Sequence, residues 1–136
     1  MTSTIIYKGH LRTEMTHLQS GSIVETDAPT DNNGNGERFS PTDLVATAMG
    51  SCMLTIMGIA CNTHSINIDG TLIEISKIMQ SNPRRIAEIV AKITIKGQSS
   101  YSEKEQKILE NAALTCPVYL SLHPELKKTV DFMWPK

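Results

Sequence analysis

The clearest alternation of hydrophobic and polar positions lies between residues 87 and 96. Ala87, Ile89, Ala91, Ile93 and Ile95 share one parity, and Glu88, Lys92, Thr94 and Lys96 dominate the other. A period of two predicts a half-buried strand. Upstream, Ile66, Ile68, Gly70 and Leu72 share a parity that passes to Ile73 and Ile75. A switch of parity inside a strand needs an extra residue, so a bulge is expected near Gly70–Leu72. Ser81-Asn82-Pro83 lies between these two strands and predicts an antiparallel connection. The N-terminal third carries β-branched residues in looser alternation over Thr4–His17 and Ser22–Thr26, with Gln19-Ser20-Gly21 as a hairpin turn. The run from Ala28 to Gly36, rich in Asn, Asp, Pro and Gly, predicts turns or a mobile loop.

Helical signals are sharp. Ser40-Pro41-Thr42-Asp43 places a hydroxyl at an N-cap, proline at the first helical position and a carboxylate at the third. From there to about Asn62 the chain is apolar nearly all round, with Leu44, Val45, Met49, Met53, Leu54, Ile56, Met57 and Ile59. A helix without a solvent face is expected to be central, covered by sheets or by a partner. A second capping box, Ser102-Glu103-Lys104-Glu105, opens a helix through about Thr115. Cys116-Pro117 breaks it and can start a short third helix with Cys116 as N-cap. Lys128–Trp134 is expected to close the fold as a strand. The order βββ–α–ββ–α–α–β defines the α+β class.

Composition narrows the functions. A chain of 136 residues and 15.0 kDa is one domain's worth, 1–136. Thirteen basic and fourteen acidic side chains leave a net charge of −1, which argues against a nucleic-acid partner that must neutralise phosphates. The longest apolar stretch, Leu44–Cys61, is interrupted by Thr47, Gly50, Ser51 and Thr55, so a buried helix is expected rather than a membrane span. Met1–Lys8 lacks the pattern of a secretory leader. Three cysteines, an odd number, argue for a reducing, cytoplasmic setting rather than a disulfide framework.

Those thiols are the candidate chemistry. Cys52 lies mid-helix beside Gly50-Ser51, where it is either a small buried hydrophobe or a reactive thiol with space around it. Reactivity in an apolar pocket requires a nearby cation, for which Arg38 and then Arg12 are the candidates. Asp43 lies nine residues from Cys52, about 180° around a regular helix. Cys116 at a helix N-terminus meets free N–H groups that favour thiolate, and otherwise packs as a small hydrophobe at a helix junction. Cys61, at the C-terminal end of the first helix, is expected to be structural. The four histidines are scattered and no Cys-x-x-Cys occurs, so neither a metal nor another cofactor is expected. Asn33-Gly34-Asn35-Gly36 lacks the Gly-Lys-Ser/Thr of a phosphate loop.

Phe39-Ser40-Pro41-Thr42-Asp43-Leu44, then Gly50-Ser51-Cys52, and Thr115-Cys116-Pro117-Val118 some sixty residues on, resemble the OsmC/Ohr family over nearly the whole chain. The resemblance implies an intertwined homodimer, with antiparallel sheets from both chains around long central helices. It implies a thiol peroxidase in which Cys52 matches the peroxidatic cysteine, and Cys116 the resolving one. Arg38, or failing that Arg12, would match the family's arginine. The family's well-studied members carry glutamate directly after the helix-start proline; here that residue is Thr42, and the acidic Asp43 follows. The implied partners are a second copy of the chain, a small hydroperoxide and an external dithiol. The alternative is a redox sensor, or a binder of small apolar ligands, on the same dimeric scaffold.

Overall fold

A computed structural model describes all residues, 1–136, as two compact units, Met1–Val45 and Ala46–Lys136. The N-terminal unit is an antiparallel sheet of β1 (Ser3–Gly9), β2 (Arg12–His17) and β3 (Ile23–Asp27) in that order. The segment Thr4–His17 is thus two strands. They are folded back at His10-Leu11, where both residues take left-handed φ values of 52° and 62° after Gly9 at 85°. Positive φ at both central positions is the geometry that matches the twist of a two-residue hairpin, although Asn-Gly rather than His-Leu is its usual sequence. β2 and β3 meet across the predicted turn, with Arg12 opposite Asp27 and Thr13 opposite Thr26.

α1 (Pro41–His64) begins as its sequence dictates. The Ser40 Oγ accepts the Asp43 N–H at 3.0 Å, and an Asp43 carboxylate oxygen accepts the Ser40 N–H at 2.9 Å. It ends with Ser65 in the left-handed region and the Ile66 N–H on the Cys61 carbonyl at 3.1 Å, a Schellman-type stop. α1 is long and apolar enough to cross a bilayer by length and composition alone.

In the C-terminal unit, Met49, Met53, Met57 and Cys61 form the buried row of α1, one residue every helical turn. They share a core with Ile89, Ala91 and Ile93 of the sheet and with Leu109 and Ala113 of the second helix. The sheet has the order β4 (Leu72–Gln80), β5 (Arg85–Thr94), β6 (Lys127–Met133). β4 and β5 are antiparallel as expected, whereas β6 runs parallel to β5. A parallel return needs a crossover, supplied here by α2 (Glu103–Leu114) and α3 (Pro117–Ser121). Gly50 brings α1 onto β4, since a Cβ there would lie 3.1 Å from the Ile75 Cδ1.

The bulge falls elsewhere than expected. The parity change near Gly70 is made by a turn before the strand, closed by the Thr71 N–H on the Ile68 carbonyl at 3.0 Å with Gly70 at φ 81°. The register shift lies at the far end, where Ile78 faces Glu88 and Met79 faces Ile86. Ala87 is therefore the extra residue, and Ile86, not Ala87, packs against the core.

Candidate functional site: a cysteine pair and an arginine–carboxylate cluster

α1 supplies Cys52, half-buried, and the α2–α3 junction supplies Cys116, fully buried; both are free thiols. The two side chains are neighbours, close enough for Cys52 to perturb the ionisation of Cys116. Cys116 is the N-cap of α3, its Sγ accepting the Tyr119 N–H at 3.4 Å. That donor favours thiolate, as the sequence suggests, but burial outweighs it and adjacent Cys52 adds to burial, so the Cys116 pKa is raised. Burial thus favours the thiol form of Cys116 over the thiolate that its helix N-terminal position favours. Cys61 lies away from this pairing at the end of α1, its pKa raised by burial and then by Asp69. Its carbonyl closes the helix and its side chain fills the core, as expected of a structural residue.

The charged candidates belong to the N-terminal unit. Arg38 lies in the segment before α1, its Nε 3.6 Å from a Glu25 oxygen and its Nη1 donating to the Glu37 carbonyl at 3.0 Å. Arg38 and Asp43 line one open cleft of about 490 Å³ together with Ile23, Val24 and Phe39. Arg12 is held far more firmly. Its Nε donates to Asp27 Oδ1 at 2.7 Å and its Nη2 to Asp27 Oδ2 at 2.9 Å. The same Nη2 reaches Glu37 at 3.2 Å, and Nε lies 3.7 Å from Glu25. Asp27 is 1% exposed and its carboxyl is held below the usual range, chiefly by the Arg12 hydrogen bonds against the opposing effect of burial. The fork raises the Arg12 pKa in turn.

Sequence reasoning missed Asp27. The predicted turn alone leaves the register one residue open: centred on Ser20 it would pair Arg12 with Ala28, whereas the observed pairing of Thr16 with Ile23 puts Arg12 opposite Asp27. Asp43 was singled out as chemistry, and one of its oxygens serves the cap of α1.

The OsmC-like protein family model matches residues 34–131, and the chain belongs to that family. A Psychrobacter arcticus protein, assigned provisionally to osmotic stress induction and a detoxification response, is similar at 48% identity, with a TM-score of 0.92 over 97% of this chain and 95% of that one. The fold is shared with an organic hydroperoxide resistance protein OsmC from Legionella pneumophila at 13% identity, TM-score 0.73, over 98% of this chain and 97% of that one. It is shared likewise with an organic hydroperoxide resistance protein from Elizabethkingia anophelis at 15% identity, TM-score 0.74, over 98% and 96%. No curated protein matches the chain.

Proposed function

We propose that this chain is a thiol-dependent peroxidase that reduces organic hydroperoxides, and works as a homodimer. The observation that carries the reading is the meeting of Cys52 and Cys116, remote in sequence and adjacent in the fold. Membership of a family with hydroperoxide resistance proteins among its structural relatives supports it.

The chemistry is balanced by the two thiols and an external dithiol. The Cys52 thiolate attacks one peroxide oxygen; the S–O bond forms as the O–O bond breaks, and the departing alkoxide takes a proton to become the alcohol. The Cys116 thiol then condenses with the sulfenic acid, releasing water and leaving a 52–116 disulfide. A dithiol reduces that disulfide and is itself oxidised to a cyclic or linear disulfide. Keeping Cys116 protonated suits it to the second step, where it waits as a thiol until the sulfenic acid forms beside it. By the family resemblance, Arg38 or failing that Arg12 is the arginine proposed for the first step, with Asp43 proposed to act through the helix start.

A second reading, a redox sensor that oxidises once without cycling, is favoured by the complete burial of Cys116, which shields a disulfide from an external reductant. Steady-state consumption of cumene hydroperoxide with a dithiol decides between them. Many turnovers per chain support the peroxidase; a single stoichiometric oxidation supports the sensor.

A further inference from the structure

β6 brings Val130 and Phe132 against the core, opposite the fully buried Ala91 and Ile93 of β5. The same parity places Lys128 opposite Ile89, also fully buried, so a lysine occupies a core-facing position of the sheet. A charged side chain at such a position is unusual and needs a partner for its ammonium. Here Nζ lies over the Tyr119 ring, 4.7 Å from its centre. Tyr119 is the third residue of α3, half-buried and packed against the core, and its N–H donates to the Cys116 Sγ at 3.4 Å. α3 has five residues, fewer than a free helix needs to hold together. Within it the Leu120 N–H donates to the Cys116 carbonyl at 3.1 Å, and the Ser121 hydroxyl to the Pro117 carbonyl at 2.7 Å. Those bonds close the turn on itself, whereas the Lys128–Tyr119 contact ties it to the sheet. The result is a continuous line from β6 to the sulfur beside Cys52.

We propose that Lys128 and Tyr119 are positioning residues for disulfide formation: the ammonium holds the Tyr119 ring, and with it the N–H aimed at the Cys116 sulfur. This rests on the reading of Cys52 and Cys116 above. In that step the Cys116 sulfur attacks the Cys52 sulfenic acid. The S–S bond forms as the S–O bond breaks, and the hydroxyl leaves with the Cys116 proton as water. The attacking sulfur gathers negative charge as its proton departs, which is when a fixed N–H donor counts most. Lys128 acts on the sulfur only through Tyr119, and the first step, at Cys52, does not depend on their contact.

The experiment follows one turnover of the intact, reduced protein with one equivalent of cumene hydroperoxide. Loss of peroxide reads the first step; dimedone trapping with mass spectrometry reads the sulfenic acid and the 52–116 disulfide. The proteins are wild type, Lys128→Met, Tyr119→Leu, and the conservative Lys128→Arg and Tyr119→Phe. Lys128→Met and Tyr119→Leu should each slow disulfide formation about tenfold, the worth of one half-buried cation–ring contact, with sulfenic acid accumulating. Loss of peroxide should stay within about threefold of wild type. Lys128→Arg and Tyr119→Phe keep a cation over a ring and should form the disulfide at close to the wild-type rate. Equal slowing of both steps would be general loosening and would overturn the proposal. So would undiminished disulfide formation in Lys128→Met, or in Tyr119→Leu beside a slow Lys128→Met, which would mark a bare effect of charge. Should either of these two not fold, the other decides together with its conservative counterpart. A wild type that consumes peroxide yet forms no 52–116 disulfide overturns the proposal too. A wild type that meets peroxide no faster than free cysteine defeats the peroxidase reading instead. Positioning is then decided on a Cys52–glutathione mixed disulfide, where Cys116 makes the same attack and glutathione leaves as the thiol. Release of glutathione about tenfold slower in Lys128→Met supports the proposal, and release at the wild-type rate overturns it.

Discussion

Cys52 on α1 and Cys116 at the N-cap of α3 are brought side by side although neither lies in a motif with the other. That relationship makes the three cysteines unequal. Cys52→Ser should abolish peroxide consumption, because a hydroxyl has no comparable anionic fraction near neutral pH. Cys116→Ser should react once per site and then accumulate sulfenic and finally sulfinic acid. Cys61→Ser should leave the chemistry intact at a packing cost on the order of 1 kcal/mol. Mass spectrometry after one equivalent of peroxide reads all three: a 52–116 disulfide is expected in wild type, and one that includes Cys61 would overturn the assignment.

The same thiols set an alkaline limit on stability. Burial raises the pKa of both Cys116 and Cys61 above the ordinary 9.0. Above that pH the unfolded chain releases protons that the folded chain retains, so stability falls as pH rises. Urea midpoints should therefore decline from about pH 9 upward. The decline should be shallower in Cys61→Ser. An equal slope in both proteins would mean that Cys61 does not contribute.

Much of this architecture was legible because local chemistry decides it. Ser40 and Ser102 each face an acidic residue three positions on, and both make the reciprocal cap their sequences promise. Cys116-Pro117 starts α3 for the same local reason. What escaped was decided by tertiary partners. Ala87 carries the strand's parity in sequence, yet the bulge opposite Ile78 and Met79 gives its core place to Ile86. β6 runs parallel because α2 and α3 carry the chain back across the sheet, which no period in residues 127–133 encodes. At the candidate site, the cysteines were visible as residue types. Asp27 was not, because a carboxylate at a strand end looks like a turn residue until the hairpin register puts Arg12 opposite it.

At the acid end, the cap of α2 supplies a test. The Glu105 carboxyl is held below its ordinary 4.5, first by the Ser102 backbone N–H and then by the Ser102 hydroxyl. A depressed carboxyl contributes stability above its unfolded pKa and loses it as pH falls through the folded value. The stability gap between wild type and Glu105→Gln should thus be largest near neutrality and close below about pH 4.5. A gap that persists unchanged to pH 2.5–3 would assign the effect to shape rather than charge.

Gly97 joins β5 to the segment before α2 in a conformation reserved for glycine, φ 107°. An added Cβ would stand 2.6 Å from the Asn67 carbonyl oxygen, a backbone atom that cannot swing aside. That carbonyl lies 2.6 Å from the Tyr101 hydroxyl, which sits at the same distance from the Lys96 carbonyl and so pins both segments. Gly97→Ala should cost more than about 1–2 kcal/mol, combining positive-φ strain with the clash. Thermal or urea unfolding measures it, and a loss under about 0.5 kcal/mol would show that the Asn67 segment yields.

The last prediction concerns assembly. α1 buries one row of side chains in the C-terminal unit, yet Ile59 on the same helix is 57% exposed, and Val45 is exposed as well. In the N-terminal sheet Ile5, Ile6 and Tyr7 of β1 and Ile23 of β3 are exposed too. Single exposed apolar residues are ordinary; a helix this apolar with large residues left uncovered is not, because their burial is worth about 25 cal/mol per Å². A second copy of the chain is the cover we propose, and sedimentation at low micromolar concentration should show a dimer. Ile59→Lys places a charge on the uncovered face of α1 without touching the buried Met49–Met53–Met57 row. It should shift the equilibrium toward monomer and lower the unfolding midpoint in a concentration-dependent way. A wild-type chain that sediments as a stable, fully folded monomer at that concentration would remove the dimer from the reading.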